Sequence, residues 1–172
     1  MHLLLCLSLC RGACTICCVF RYGSTGPTGP AGAGSALSGV QVQLQGSSGG
    51  TILDGANVLF DVSLNSISPN VAYAAGTGIF TITVPGTYYI NWWVNTDGAE
   101  AATNVEFTIE TSAGGAISAV SPAPVVTTQL SGNALITVVV APVTFALVNN
   151  SGATVTLGTS AVQADLTVVQ VV

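Results

Sequence analysis

The chain has 172 residues, 49% of them apolar and only 5% charged, with 2 basic and 7 acidic side chains. So few cations exclude a nucleic-acid binder that works by neutralising phosphates, and so little net charge on so apolar a chain excludes charge-driven disorder. Beyond Arg21 there is no Lys, Arg, His or Cys, which removes Ser–His, Cys–His and Lys-based catalysis, and His or Cys metal sites, from the body of the chain.

Residues 1–22, MHLLLCLSLCRGACTICCVFRY, hold all five Cys, both Arg and the His. A discarded leader is one reading, since Leu3 to Cys10 is an apolar run, but a positive start and a small-residue cleavage site are missing. A membrane span is not expected, because Arg11 would sit mid-run at a cost of roughly 2.5–3.5 kcal/mol. The third reading is a connector that docks on, or is disulfide-linked to, a neighbouring subunit. Cys6, Cys10, Cys14, Cys17 and Cys18 are then the inter-subunit disulfide candidates, and their odd number leaves one thiol for a partner chain. The Cys14, Cys17, Cys18 cluster also suggests half a zinc knuckle, but no second paired half accompanies it.

Residues 23–35 contain GSTGPTGPAGAG, with Gly23, Gly26, Gly29 and Gly32 at strict period three and Pro27 and Pro30 each after a glycine. Only glycine fits the axis of a collagen triple helix, and four triplets span about 37 Å at polyproline rise. A flexible Gly/Pro linker is the competing reading, because so short a repeat needs trimerisation beside it to hold.

Residues 36–172 alternate with period two almost throughout. Val40, Val42 and Leu44 alternate with glutamines; Phe80, Ile82 and Val84 alternate with Thr81 and Thr83; Val105, Phe107 and Ile109 alternate with Glu106, Thr108 and Glu110. Apolar runs follow at 134–141, 143–148 and 164–172. Val, Thr and Ile, which suit a pleated surface, are abundant. Turn residues are expected to separate the strands at Ser47–Gly50, Pro85–Gly86, Asp97–Gly98, Gly114–Gly115, Ser131–Asn133 and Asn149–Gly152. The prediction is an all-β sandwich of about nine to eleven short strands. The strand over 87–95 carries a Tyr and a Trp on each face. Tyr88 and Trp92 serve a core, so Tyr89 and Trp93 on the other face are the candidate contacts with another subunit.

The body retains Asp54, Asp61, Asp97, Glu100, Glu106, Glu110 and Asp165, with no spacing that marks a catalytic pair. No enzyme activity and no cofactor are expected. Asp97-Gly98-Ala99-Glu100 forms an acidic loop that could offer oxygen ligands to calcium, although two carboxylates are few for that.

Several stretches resemble one family: Phe60-Asp61 with Asn65, then Gly78-Ile79-Phe80-Thr81-Ile82, and Pro85-Gly86-Thr87-Tyr88-Tyr89-Ile90. They look like the globular heads of complement and tumour-necrosis-factor type, which are trimeric ten-stranded jelly rolls that commonly follow a collagen stalk. Within that superfamily, residues 129–136 and Leu166-Thr167-Val168-Val169 are similar to the later strands of the head of bacterial collagen-like exosporium glycoproteins (the BclA type). The chain departs from that pattern in having four triplets, a Cys-rich start, and Ala141-Pro142 where an acidic turn is usual. The resemblance implies a homotrimeric jelly-roll head over 36–172, a short triple-helical neck, and O-glycosylation of stalk threonines, here Thr25 and Thr28.

The resemblance further implies an extracellular structural protein of the spore surface, in exosporium or appendage filaments. Its partners would be further copies of itself and other spore-coat proteins. The alternative is a trimeric ligand- or glycan-binding head, as in an adhesin or a phage fibre tip. Lys-dependent isopeptide cross-links are unavailable, which leaves the cysteines of residues 1–22 as the expected covalent attachment.

Overall fold

The computed structural model describes residues 38–46, 50–99, 104–122 and 127–171, without the side chains of Gly98 and Ala99. They contain twelve strands: β1 Ser38–Gln45, β2 Gly50–Ile52, β3 Val62–Ser66, β4 Val71–Ala74, β5 Ile79–Ile82, β6 Gly86–Ala99, β7 Glu106–Thr111, β8 Ala116–Val120, β9 Thr128–Val138, β10 Val143–Asn149, β11 Val155–Leu157 and β12 Val162–Gln170. Among the described residues no helix is long and apolar enough to cross a membrane.

The strands form two antiparallel sheets. One runs β2-β11-β6-β12-β1-β3, with β9 on the other flank of β6; the second runs β4-β5-β10-β7-β8. The chain passes repeatedly from one sheet to the other, and first and last strands lie side by side, Val40 opposite Val168 and Val42 opposite Leu166. This is an all-β sandwich, as the alternation predicted, and its topology is the jelly roll that the resemblance implied.

Period-two patterning puts alternate side chains into the space between the sheets. On β6, Tyr88, Ile90, Trp92 and Val94 are buried there, while Tyr89, Asn91, Trp93 and Asn95 point away. Rings dominate the core: Phe80 and Phe145 stack with centroids 4.7 Å apart, Tyr73 lies 4.5 Å from Phe80, and Phe60 meets both edge-on. Trp92 crosses to Phe107 of the opposite sheet at 6.2 Å. Strand β10 lacks alternation for a reason. It pairs with β5 and β7, and beyond β5 residues 56–58 lie beside it, Val58 N–H donating to Leu147 O and Asn149 N–H to Ala56 O. Both its edges are therefore paired, and every residue of the strand but Thr144 is buried.

Two expected turns are corrected. Asp97–Gly98 lies inside β6, because β11 pairs with its end (Val155 with Ala99, Leu157 with Thr96) and keeps the chain extended. Ser131–Asn133 lies inside β9, where Gly132 sits opposite Trp92. A Cβ at Gly132 would fall 2.6 Å from Trp92 Cζ2, so this glycine is a space for the indole and not a bend. The expected turn at Gly114–Gly115 is present, both glycines having positive φ, and it joins β7 to β8. Of Ser47–Gly50, residues 47–49 lie outside the described residues and Gly50 opens β2.

Candidate interaction face

The outward face of the first sheet is built from β9, β6, β12, β1 and β3, and registry sets its side chains in rows. Tyr89 stands between Leu135 on β9 and Val169 on β12. Leu135 is 64% exposed and Tyr89 40%, a large apolar pair left in water. The next row is a band of uncharged polar groups: Asn133, Asn91, Thr167, Gln41 and Asn65. Beyond it Trp93, half-buried, lies between Ser131 and Asp165, with Gln43 on β1 next to Asp165.

Asp165 is the one charged residue in these three rows, and it is only 7% exposed. Its Oδ2 accepts hydrogen bonds from Gln41 Nε2 at 3.0 Å and Gln43 Nε2 at 2.9 Å. Its Oδ1 accepts a longer one from Thr167 Oγ1, 3.4 Å. Hydrogen-bond donors thus replace the water that a buried carboxylate needs. The face as a whole is amide-rich and aromatic, with little charge to repel a second copy.

The other described carboxylates are engaged singly. Asp54 Oδ1 accepts Gly152 N–H, Asp61 Oδ1 accepts Gln45 N–H, Glu110 accepts Asn150 Nδ2, and Glu106 accepts Thr108 Oγ1. Asp97 Oδ1 accepts Thr127 Oγ1 at 2.6 Å from within β6; Glu100 lies outside the described residues. Among the described residues no group of three or more His, Cys, Asp or Glu could hold a metal ion.

Burial raises the Tyr88 phenol above its ordinary range. Burial likewise raises that of Tyr73, opposed by the Phe60 N–H that donates to its oxygen and aided by the negative charge of Asp61. Both serve the core: Tyr88 donates to Val84 O and Tyr73 to Phe60 O.

Tyr89 and Trp93 therefore stand on one outward face, as their positions in the alternation predicted. Leu135, Val169 and Asp165 complete that face and were missed, since only strand pairing brings residues 46 to 80 positions away beside them. The remaining predicted positions, Cys6, Cys10, Cys14, Cys17, Cys18, Gly23, Gly26, Gly29, Gly32, Thr25 and Thr28, lie outside the described residues. A second feature had no signal in the sequence. An open apolar cleft of about 470 Å³ separates the β7–β8 turn from the end of β9, lined by Ile117, Ile136, Val138, Val139, Val140 and Val143 among others.

No family model matches the chain, and no curated protein sequence does. Solved structures do. The globular domain of the zebrafish complement 1qA protein superposes with a TM-score of 0.60 at 16% identity, over 78% of this chain and 98% of that one. Eiger TNF from S. frugiperda gives 0.60 at 12%, over 79% and 93%. Murine APRIL at pH 5.0 gives 0.58 at 10%, over 79% and 100%. The chain has the jelly-roll fold of the complement and tumour-necrosis-factor heads. In this head the β9-β6-β12-β1-β3 sheet carries the exposed Tyr89 and Leu135, and the second sheet forms the other side of the core.

Proposed function

We propose that the chain is a structural protein of the bacterial spore surface. Three heads associate through the outward face of the first sheet, and three Gly-X-Y segments over 23–35 wind into a neck. Residues 1–22 link trimers into exosporium or appendage filaments, with Cys6, Cys10, Cys14, Cys17 and Cys18 supplying disulfides once the material reaches an oxidising environment. Filament growth then needs only one head-to-tail contact repeated. On this reading the protein is extracellular, has no catalytic role, and carries glycans on Thr25 and Thr28.

The observation that carries the reading is the exposed Leu135–Tyr89 pair, beside half-buried Val169, on a face with almost no charge, in a chain with a collagen-like repeat just before its first strand. Covering Leu135 and Tyr89 contributes about 1.5–3 kcal/mol per side chain in each copy. Sedimentation equilibrium of the full chain in reductant is expected to return three chain masses, and Leu135→Asp to return one while its circular dichroism stays native. A single-chain mass for the wild type at micromolar concentration would overturn the trimer. Replacing all five cysteines by serine should make the filaments separable by denaturant without reductant; equal dissociation of both forms would refute the disulfide link.

A ligand-binding head is the second reading, favoured by one observation. Trp93 is a partly exposed ring bordered by Ser131 and Asp165, the aromatic and hydrogen-bonding combination that suits a sugar. Binding to an immobilised glycan that is lost in Trp93→Ala would favour it over the filament.

A further inference from the structure

The neighbours of Asp165 are a hydroxyl and a carboxamide that face each other across the first and last strands. Gln41 on β1 and Thr167 on β12 are directly paired, and Gln41 is paired on its other side with Asn65 of β3. One carboxylate touches both reacting groups: Thr167 Oγ1 donates to Oδ1 (3.4 Å) and Gln41 Nε2 donates to Oδ2 (3.0 Å). Gln43 Nε2, at 2.9 Å from the same Oδ2, holds the carboxylate in place. Asp165 is 7% exposed, so water competes poorly for it. We propose that this is a self-modification site, at which Thr167 and Gln41 condense into a side-chain ester with release of ammonia.

The step balances without oxidant or cofactor. Asp165 takes the proton of Thr167 Oγ1 as that oxygen attacks Cδ of Gln41. The Oγ1–Cδ bond forms, and the Cδ–Nε2 bond breaks as the protonated Asp165 carboxyl gives one proton to the departing nitrogen. Ammonia leaves and the carboxylate is restored. Holding the three groups in one place is what lets a weak nucleophile meet a poor acyl donor. Asn65, paired with Gln41 on its other side, carries a carboxamide donor on that face for the oxyanion that develops on Gln41 Oε1. Two other hydroxyl contacts among the described residues lack one of the three groups: Asn95 donates to Ser160 Oγ, and Thr127 donates to Asp97.

The composition fits such a bond. A chain with no lysine cannot make a Lys–Asn isopeptide, whereas Thr and Gln are present on the two strands that close the head. An ester between residues 41 and 167 would tie β1 to β12 and enclose nearly the whole domain in one covalent loop, lowering the entropy of the unfolded chain. The link lies within one chain, so its presence does not depend on trimerisation.

Intact mass spectrometry of the reduced, full-length protein tests the proposal. The expected mass is below the sequence mass by one ammonia, and peptic digestion should yield a joined peptide containing Gln41 and Thr167 that hydroxylamine separates. Thr167→Val, Gln41→Leu and Asp165→Asn should each restore the full mass. Thr167→Ser, which keeps the hydroxyl, should retain the link and shows that loss in Thr167→Val is chemical and not a folding defect. A wild-type mass equal to the sequence mass, in protein with native circular dichroism, overturns the proposal. An ammonia loss that persists in Thr167→Val overturns it equally.

Discussion

Gly132→Ala is the sharpest test of how the core is packed. The added Cβ would lie 2.6 Å from Cζ2, 2.8 Å from Cε2 and 3.1 Å from Nε1 of Trp92, against an ordinary carbon contact of about 3.5–4.0 Å. The indole cannot simply swing away. It is 1% exposed and is backed by Phe107 of the opposite sheet. Either the ring or β9 must move by nearly 1 Å, and overpacking of this kind costs about 1–3 kcal/mol. Replacing a strand glycine recovers about 0.5–1 kcal/mol through the unfolded chain, so the net loss is about 0–2.5 kcal/mol with a midpoint near 1 kcal/mol. For a head of this size that midpoint lowers Tm by about 3–5 °C. Thermal and guanidinium unfolding, followed by tryptophan fluorescence at matched protein concentration, gives the comparison. A Gly132→Ala protein as stable as the wild type would show that Trp92 does not depend on this space, and that Ser131–Asn133 lies in β9 for another reason.

Asn149 is fully buried, with Nδ2 donating to Ile52 O and Ala153 O and Oδ1 accepting Ser151 N–H. Asn149→Ala strands those groups and is expected to cost about 2–3 kcal/mol. Faster amide exchange over Gly50–Ile52 is the local readout, and unchanged exchange there would refute the role. Alkaline stability follows from Tyr73 and Tyr88. Their folded pKa values lie above the unfolded value of about 10, so the native state holds protons longer. Their contribution is intact below that pH and is lost as pH rises from there through the raised folded values. Phenolate absorbance, taken as the difference between wild type and Tyr73→Phe or Tyr88→Phe, should appear together with loss of the far-ultraviolet signal; ionisation of either in a still-native protein would contradict the assignment. On the outward face, Tyr89→Asp should weaken association as Leu135→Asp does, without lowering the Tm of a separated head by more than about 1 kcal/mol equivalent.

The amino-acid order alone determined the class of fold and the facing of the central strand, because a side-chain period of two has a single structural meaning. Tyr88 and Trp92 inward, Tyr89 and Trp93 outward, could be read directly from residues 87–95. What it could not determine was partnership. Gly132 carries the same local signal whether it bends a turn or makes room for an indole, and only the pairing of β9 with β6 decides between them. Likewise Asp97-Gly98 has the composition of a turn, yet β11 alongside holds it extended. Asp165, Gln41 and Thr167 are unremarkable in sequence, 124 positions separating Gln41 from Asp165. They become a site because the sandwich closes by laying β12 against β1, and closure of a sheet is a property of the whole chain that no local window contains.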